Sequence, residues 1–206
     1  KEIDENINDK LTFKVDTPNV TTFLIKGVSN ITIGESPIYI KNKLMAANVR
    51  PINNVVDISN YIMLETGQPL HFYDADKVGK AMGVRNAENN ETVVTLDGKE
   101  RQLTIEDIVI TDGKNPICLA GVMGGLNTEI DENTKNVYIE AAIFNPINIR
   151  RTSKKLLRSE ASIRFEKGLD VNRCYMAMDR ACHMLEELAG GSVNSGMIEY
   201  NISSRD

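Results

Sequence analysis

Between Asn53 and Glu65 the side chains Val55, Ile58, Ser59 and Ile62 fall on one helical face, and Gly67 with Pro69 supplies a stop. The spacing predicts a helix there. An earlier helix begins with Ser36 as N-cap and Pro37 in its first turn, and runs to about Asn48 before Arg50-Pro51 breaks it. From 80 to 144 the period shortens to that of strands. Thr92 to Leu96 leads into Asp97-Gly98, and Ile108 to Thr111 leads into Asp112-Gly113 before Pro116 to Leu119 resumes; both are hairpin signals. Thr22 to Val28 and Leu70 to Tyr73 also read as extended, and Val137 to Phe144 is the longest apolar run. Pro146 opens a further helix. Tyr175, Met178, Cys182, Leu185 and Ala189 form the stripe of a last one, over about 172–189, which Gly190-Gly191 ends. Residues 1–12 are rich in Asp and Asn and read as a frayed lead-in. Helices, then hairpins, then helices make an α+β chain, not a βαβ one. No linker interrupts it, so residues 1–206 read as a single domain.

Composition narrows the class. Of 206 residues, 41% are hydrophobic and 26% charged, which excludes disorder as the main state and allows a core without disulfides or metal. No run approaches the roughly 18 apolar residues of a membrane span. Trp is absent and aromatics are 5%, so broad base-stacking platforms are not expected. The net charge of -5 excludes global attraction to nucleic acid or anionic membrane. Locally the balance reverses. Arg150 to Arg173 carries +5, leaving -10 on the rest, and this stripe, with Lys154, Lys155 and Arg158 in it, is either a phosphate-contacting face or a solvated helix surface. Cys118, Cys174 and Cys182 are three in number with no CxxC, which fits a reducing compartment and predicts no structural zinc. There is no signal peptide, and a first residue Lys1 in place of Met suggests a chain cut from a longer one or processed.

The chain has no phosphate-binding P-loop, no GxSxG and no HExxH. Cys174 and Cys182 lie on or beside the apolar stripe of the last helix and read as buried, inert thiols; His183 reads as a surface residue. His71 differs, because it follows Gly67-Gln68-Pro69-Leu70 at a helix-to-strand turn, where side chains can be aimed into a cleft. Gly121-Val122-Met123-Gly124-Gly125 is either a tight turn or backbone that approaches a ligand closely. Glu140 interrupts the longest apolar run, on the face of Tyr138 and Ala142. Buried there, it needs a partner. It is an edge or solvated carboxylate, the mate of a structural Arg, or an acceptor in a pocket.

Taken in order, these segments resemble a known family. Arg50-Pro51-Ile52-Asn53-Asn54-Val55-Val56-Asp57-Ile58-Ser59-Asn60-Tyr61, Gly67-Gln68-Pro69-Leu70-His71, the Gly121 to Gly125 cluster, Glu140-Ala141-Ala142, and Arg158-Ser159-Glu160-Ala161-Ser162 with Arg164-Phe165-Glu166-Lys167-Gly168 resemble the B3/B4 domain of the bacterial phenylalanyl-tRNA synthetase beta subunit. The resemblance implies a layered β-sheet sandwich backed by helices. It implies an editing module that hydrolyses tRNA for phenylalanine mischarged with tyrosine, in a cytoplasmic (αβ)2 enzyme with an alpha-subunit partner, and no cofactor or metal in this domain. Matched motif by motif, His71, Gly124, Glu140, Ser159 and Ala161 fall at editing-pocket positions, and Asn53 and Asn54 near them. Many relatives carry Thr where Ser159 stands. On this reading Glu140 accepts from the tyrosine hydroxyl, His71 is a second polar group for it, the glycine cluster holds the ester end, and Ala161 keeps the entrance open. No general base is assigned. Two other readings stand beside it: a non-catalytic RNA-docking or scaffold module that uses only the basic stripe, and a stand-alone small-molecule hydrolase.

Overall fold

Alternation along Val137–Phe144 decides the layering. In the computed structural model, which describes residues 2–203, this strand is buried almost throughout. Val137, Ile139 and Ala141 enter one apolar core, shared with helices; Tyr138, Ala142 and Phe144 enter another, between two sheets.

The chain opens with β1 (Ile3–Asn6), α1 (Ile7–Lys10), β2 (Thr12–Asp16) and β3 (Val20–Ser29), followed by α2 (Ile38–Ala46) and α3 (Asn54–Thr66). Next come β4 (Leu70–Asp74), α4 (Ala75–Val78), β5 (Ala81–Asn86), β6 (Thr92–Val94), β7 (Glu100–Gln102), β8 (Ile108–Thr111), β9 (Pro116–Leu119) and β10 (Met123–Gly124). The last elements are β11 (Val137–Phe144), α5 (Pro146–Lys155), α6 (Glu160–Phe165), α7 (Val171–Ala189), β12 (Ser192–Ser195) and β13 (Ile198–Asn201). One sheet runs β1-β12-β3-β11-β4, with β13 also paired to β3; the second runs β10-β9-β8-β5-β2. Phe23 and Ile25 of β3 face Val84, Ile108 and Ile110 of the second sheet across the inner core. On the outer face, Leu24 and Val28 meet Ile40, Leu44, Val55, Ile58 and Ile62 of α2 and α3, and Met178 and Leu185 of α7. This is a layered α+β domain, two sheets with helices behind one of them, as the sequence implies. Among the described residues no helix is long and apolar enough to cross a membrane.

Helix ends follow local chemistry. Asn53 caps α3 by accepting from the Val56 N–H at 2.9 Å, and Gly67, at φ 79°, ends it in the left-handed conformation. Two expectations need correction. The frayed lead-in over 1–12 does not hold for its described part: β1 pairs parallel with β12, β2 begins at Thr12, and Ile7 and Leu11 are buried in the inner core. Three apolar residues, Ile3, Ile7 and Leu11, among polar ones are too sparse to announce a pairing made about 190 positions away. Lys1 and the last three residues lie outside the described range. Nor is Ser36 an N-cap. Pro37 takes that position, and the Ser36 hydroxyl donates instead to the buried Asp57 carboxylate at 2.6 Å, tying the start of α2 to that of α3.

Candidate functional site

Strands β4 and β11 are antiparallel neighbours whose register sets Glu140 directly opposite His71. Both side chains, with Tyr73 two positions along β4, point between the sheets. Cys118 approaches from β9 in the other sheet, and α6 supplies Ala161 and Phe165. His71, Glu140, Cys118, Ala161 and Phe165, with residues 121–124, line a cavity of about 50 Å³. That is room for a few waters or the end of a ring. It opens into a wider groove of about 390 Å³, walled by Ile52, Val56, Met63, Leu96 and Ile130; His71, Gly124 and Ala161 border both. The site is a narrow, mostly apolar end that holds a few polar groups, His71, Glu140 and Cys118, inside a broader apolar mouth.

Glu140 is 4% exposed, and its Oε1 accepts from the Tyr73 hydroxyl at 2.6 Å. Among the described residues its Oε2 has no hydrogen bond. Burial pushes this carboxyl up to about 7, against a smaller downward pull from the Tyr73 hydrogen bond. Burial pushes His71 the other way, down to about 4, so the imidazole is neutral at pH 7. Its ring stands edge-on to Tyr73, with centroids 4.4 Å apart. Burial raises the Cys118 thiol well above its usual range, which leaves it protonated and poorly nucleophilic. Among the described residues no group of three or more His, Cys, Asp or Glu could hold a metal ion.

These two opposite shifts predict a signature in stability. Glu140 titrates above its ordinary 4.5, so its contribution is present below about 4.5 and is lost as pH rises through about 7. His71 titrates below its ordinary 6.5, so its contribution is present above 6.5 and is lost as pH falls through about 4. Between these limits the slopes oppose. Replacing Glu140 by Gln leaves the His71 slope alone, so stability should rise from pH 4 to 6.5 and no longer fall toward pH 8. The Glu140 shift corresponds to something on the order of 3 kcal/mol. Urea denaturation at a series of pH values checks this, and parallel wild-type and variant curves would refute it.

Most of the sequence-predicted site converges. His71, Glu140, Gly124 and Ala161 border the inner cavity, and Ser159 borders the groove. At Gly124 a Cβ would lie 2.2 Å from His71 Cε1, so only glycine lets the imidazole sit there. The cluster is also a tight turn: Val122 N–H donates to Leu119, and β10 folds back on β9. Ser159 caps α6, accepting from Ser162 N–H and donating to the Val122 carbonyl at 2.6 Å, so its hydroxyl locks the turn to the helix. Asn53 and Asn54 are corrected. The first caps α3, and the second is buried, accepting from Gly34 N–H and donating to the Thr32 and Leu188 carbonyls; neither borders either cavity. Of the stripe, Lys154, Lys155 and Arg158 are all exposed, but Lys155 Nζ also bonds the buried Asp107 at 2.8 Å and so serves the fold. Cys174 and Cys182 are buried, and His183 is exposed beside Glu187, as expected. Sequence reasoning missed Tyr73 and Cys118. The period of two along β4 would have placed Tyr73 beside His71.

Residues 19–190 match the B3/4 domain family. The chain is 50% identical to the phenylalanine-tRNA ligase beta subunit of Staphylococcus haemolyticus (strain JCSC1435), over 100% of this chain and 26% of that protein. It is 49% identical to the same subunit of Streptococcus agalactiae serotype Ia, over 96% of this chain and 25% of that one. It thus spans about a quarter of the length of these relatives. A crystal structure of an N-terminal fragment of the phenylalanyl-tRNA synthetase beta subunit from Pyrococcus horikoshii superposes with a TM-score of 0.63 at 14% identity, over 97% of this chain and 56% of that one, a likeness of fold.

Proposed function

The chain belongs to the B3/4 domain family, and on that premise we propose that it is the editing domain of a phenylalanine-tRNA ligase beta subunit, hydrolysing tyrosine from tRNA for phenylalanine. The observation that carries this reading is the placing of Glu140 beside His71 in the wall of one small cavity, with one carboxylate oxygen free of hydrogen bonds among the described residues. A pocket built for phenylalanine rejects an analogue with one added hydroxyl only about 10²-fold, whereas a site that hydrogen-bonds that hydroxyl discriminates by roughly 10⁴–10⁵-fold. Here the phenol of the tyrosyl group enters the narrow end and donates to Glu140 Oε2. His71, neutral, faces the same hydroxyl or its water. The ester lies toward the groove, beside the 121–124 backbone.

An aminoacyl ester is already activated. Water adds to its carbonyl carbon, and the ribose oxygen of the tRNA departs with a proton; the contributions asked of the site are to place the water and stabilise the oxyanion. The assembly proposed is an (αβ)2 synthetase with an alpha-subunit partner, working in the cytoplasm, and this domain needs no cofactor. The docking-module reading would have gained if Glu140 and His71 faced apart; their register speaks against it. The small-molecule hydrolase reading lacks a nucleophile-base pair. The test is deacylation: the assembled synthetase should release tyrosine from tyrosyl-tRNA far faster than phenylalanine from its own tRNA, and equal rates would sink the proposal.

The part of the stripe not tied to Asp107 gives a further expectation. Neutralising Lys154 and Arg158 while keeping Lys155 should weaken tRNA binding and lower the magnitude of its log–log salt slope by roughly 0.7–0.9 per lost phosphate contact. Binding measured across a salt series reads this; an unchanged slope would assign both side chains to solvation.

A further inference from the structure

Tyr73 is completely buried, yet its hydroxyl is turned to a carboxyl group inside the pocket wall. It donates to Glu140 Oε1, the oxygen nearer the protein's own partner, while Oε2 has none among the described residues. We propose that Tyr73 is a positioning residue for substrate selection: it occupies one oxygen of Glu140 so that the other is presented to the hydroxyl of the incoming side chain, and the carboxylate bridges one phenol of the protein and one of the substrate. This rests on the editing reading above and extends it to a residue outside the resembling motifs.

The surroundings leave Glu140 little else to hold it. Opposite it in register stand His71 on β4 and Ile25 on β3. Across the cavity are Cys118 on β9 and the apolar Ala161 and Phe165 of α6. Cys174 of α7, whose thiol is raised by burial and secondarily by the charge of Glu140, lies in the outer core. None of these groups is a cation at pH 7, because His71 is neutral there. The Tyr73 hydroxyl is therefore what fixes the carboxyl and favours its charged form. His71 stands edge-on against the Tyr73 ring.

The experiment compares wild type, Tyr73→Phe and Glu140→Ala in the assembled synthetase, measuring kcat/KM for hydrolysis of tyrosyl- and phenylalanyl-tRNA from pH 5.5 to 8.5, the range that spans about pH 7 for Glu140. Wild-type discrimination should rise with pH as the carboxylate forms. Tyr73→Phe keeps the ring, and should lower discrimination about tenfold, one lost charge-assisted hydrogen bond, and move the inflection to higher pH. A loss of discrimination with the inflection unmoved would assign Tyr73 a merely structural role and overturn the proposal, as would unchanged discrimination. Glu140→Ala separates the two levels of the argument. If it also leaves discrimination intact, the editing reading of this pocket fails; if it abolishes discrimination while Tyr73→Phe does nothing, only the role of Tyr73 fails.

Discussion

Ala161→Trp should slow hydrolysis of tyrosyl-tRNA by roughly 10- to 100-fold while charging with phenylalanine is unchanged. Ala161 sits where the inner cavity meets the groove and borders both. An indole there competes with the substrate ring for the same space, and overpacking of 1–3 kcal/mol corresponds to roughly 10- to 100-fold. The fold should survive. Ala161 is only partly buried, and the groove of about 390 Å³ beside it can take the larger side chain without driving it through the core. Deacylation and charging assays on one preparation, with a melting curve to establish folding, decide the matter; normal hydrolysis by a folded variant would remove Ala161 from the site.

Glu140→Ala should slow tyrosyl-tRNA hydrolysis by roughly 10- to 100-fold, the cost of burying the tyrosine hydroxyl without its acceptor. Discrimination should fall further than the rate, because the same change ends the penalty against phenylalanine, whose ring leaves a buried carboxyl unpaired. His71→Ala should act in the same direction but less, since a water can replace a neutral imidazole. The fold should tolerate the loss of Glu140, because burial already holds its carboxyl up at about 7 and its ionised form is a burden on stability. The Tyr73 hydroxyl loses its acceptor in the process.

Much of this site could be read from the chain because its chemistry coincides with strong local signals. Glu140 stands out in an apolar strand, and the His71 turn is announced by Gly67 and Pro69. What one sequence cannot carry is cross-strand register. Nothing local says that positions 71 and 140 are opposite one another, or that Cys118 comes from the second sheet to close the cavity. Asn53 and Asn54 were drawn into the site by lying in a motif that borders it. In fact Ile52 and Val56, on either side, turn toward the groove, while the two amides turn to backbone groups. Likewise β5 falls in the stretch that reads as strand-like from 80 but does not stand out there, because Gly83 and the polar Arg85 and Asn86 blur its alternation; pairing with β2 and β8 fixes it.

The most direct test of hydroxyl recognition is the ratio of tyrosyl- to phenylalanyl-tRNA hydrolysis by the assembled synthetase, wild type against Glu140→Ala, at a pH above 7, where the wild-type carboxyl is mostly ionised. A ratio far above one in the wild type that collapses toward one in the variant, with the loss concentrated in the tyrosyl substrate, is the predicted result. Equal slowing of both esters, with the ratio preserved, would mean that Glu140 acts on the chemistry of the ester and would contradict the account.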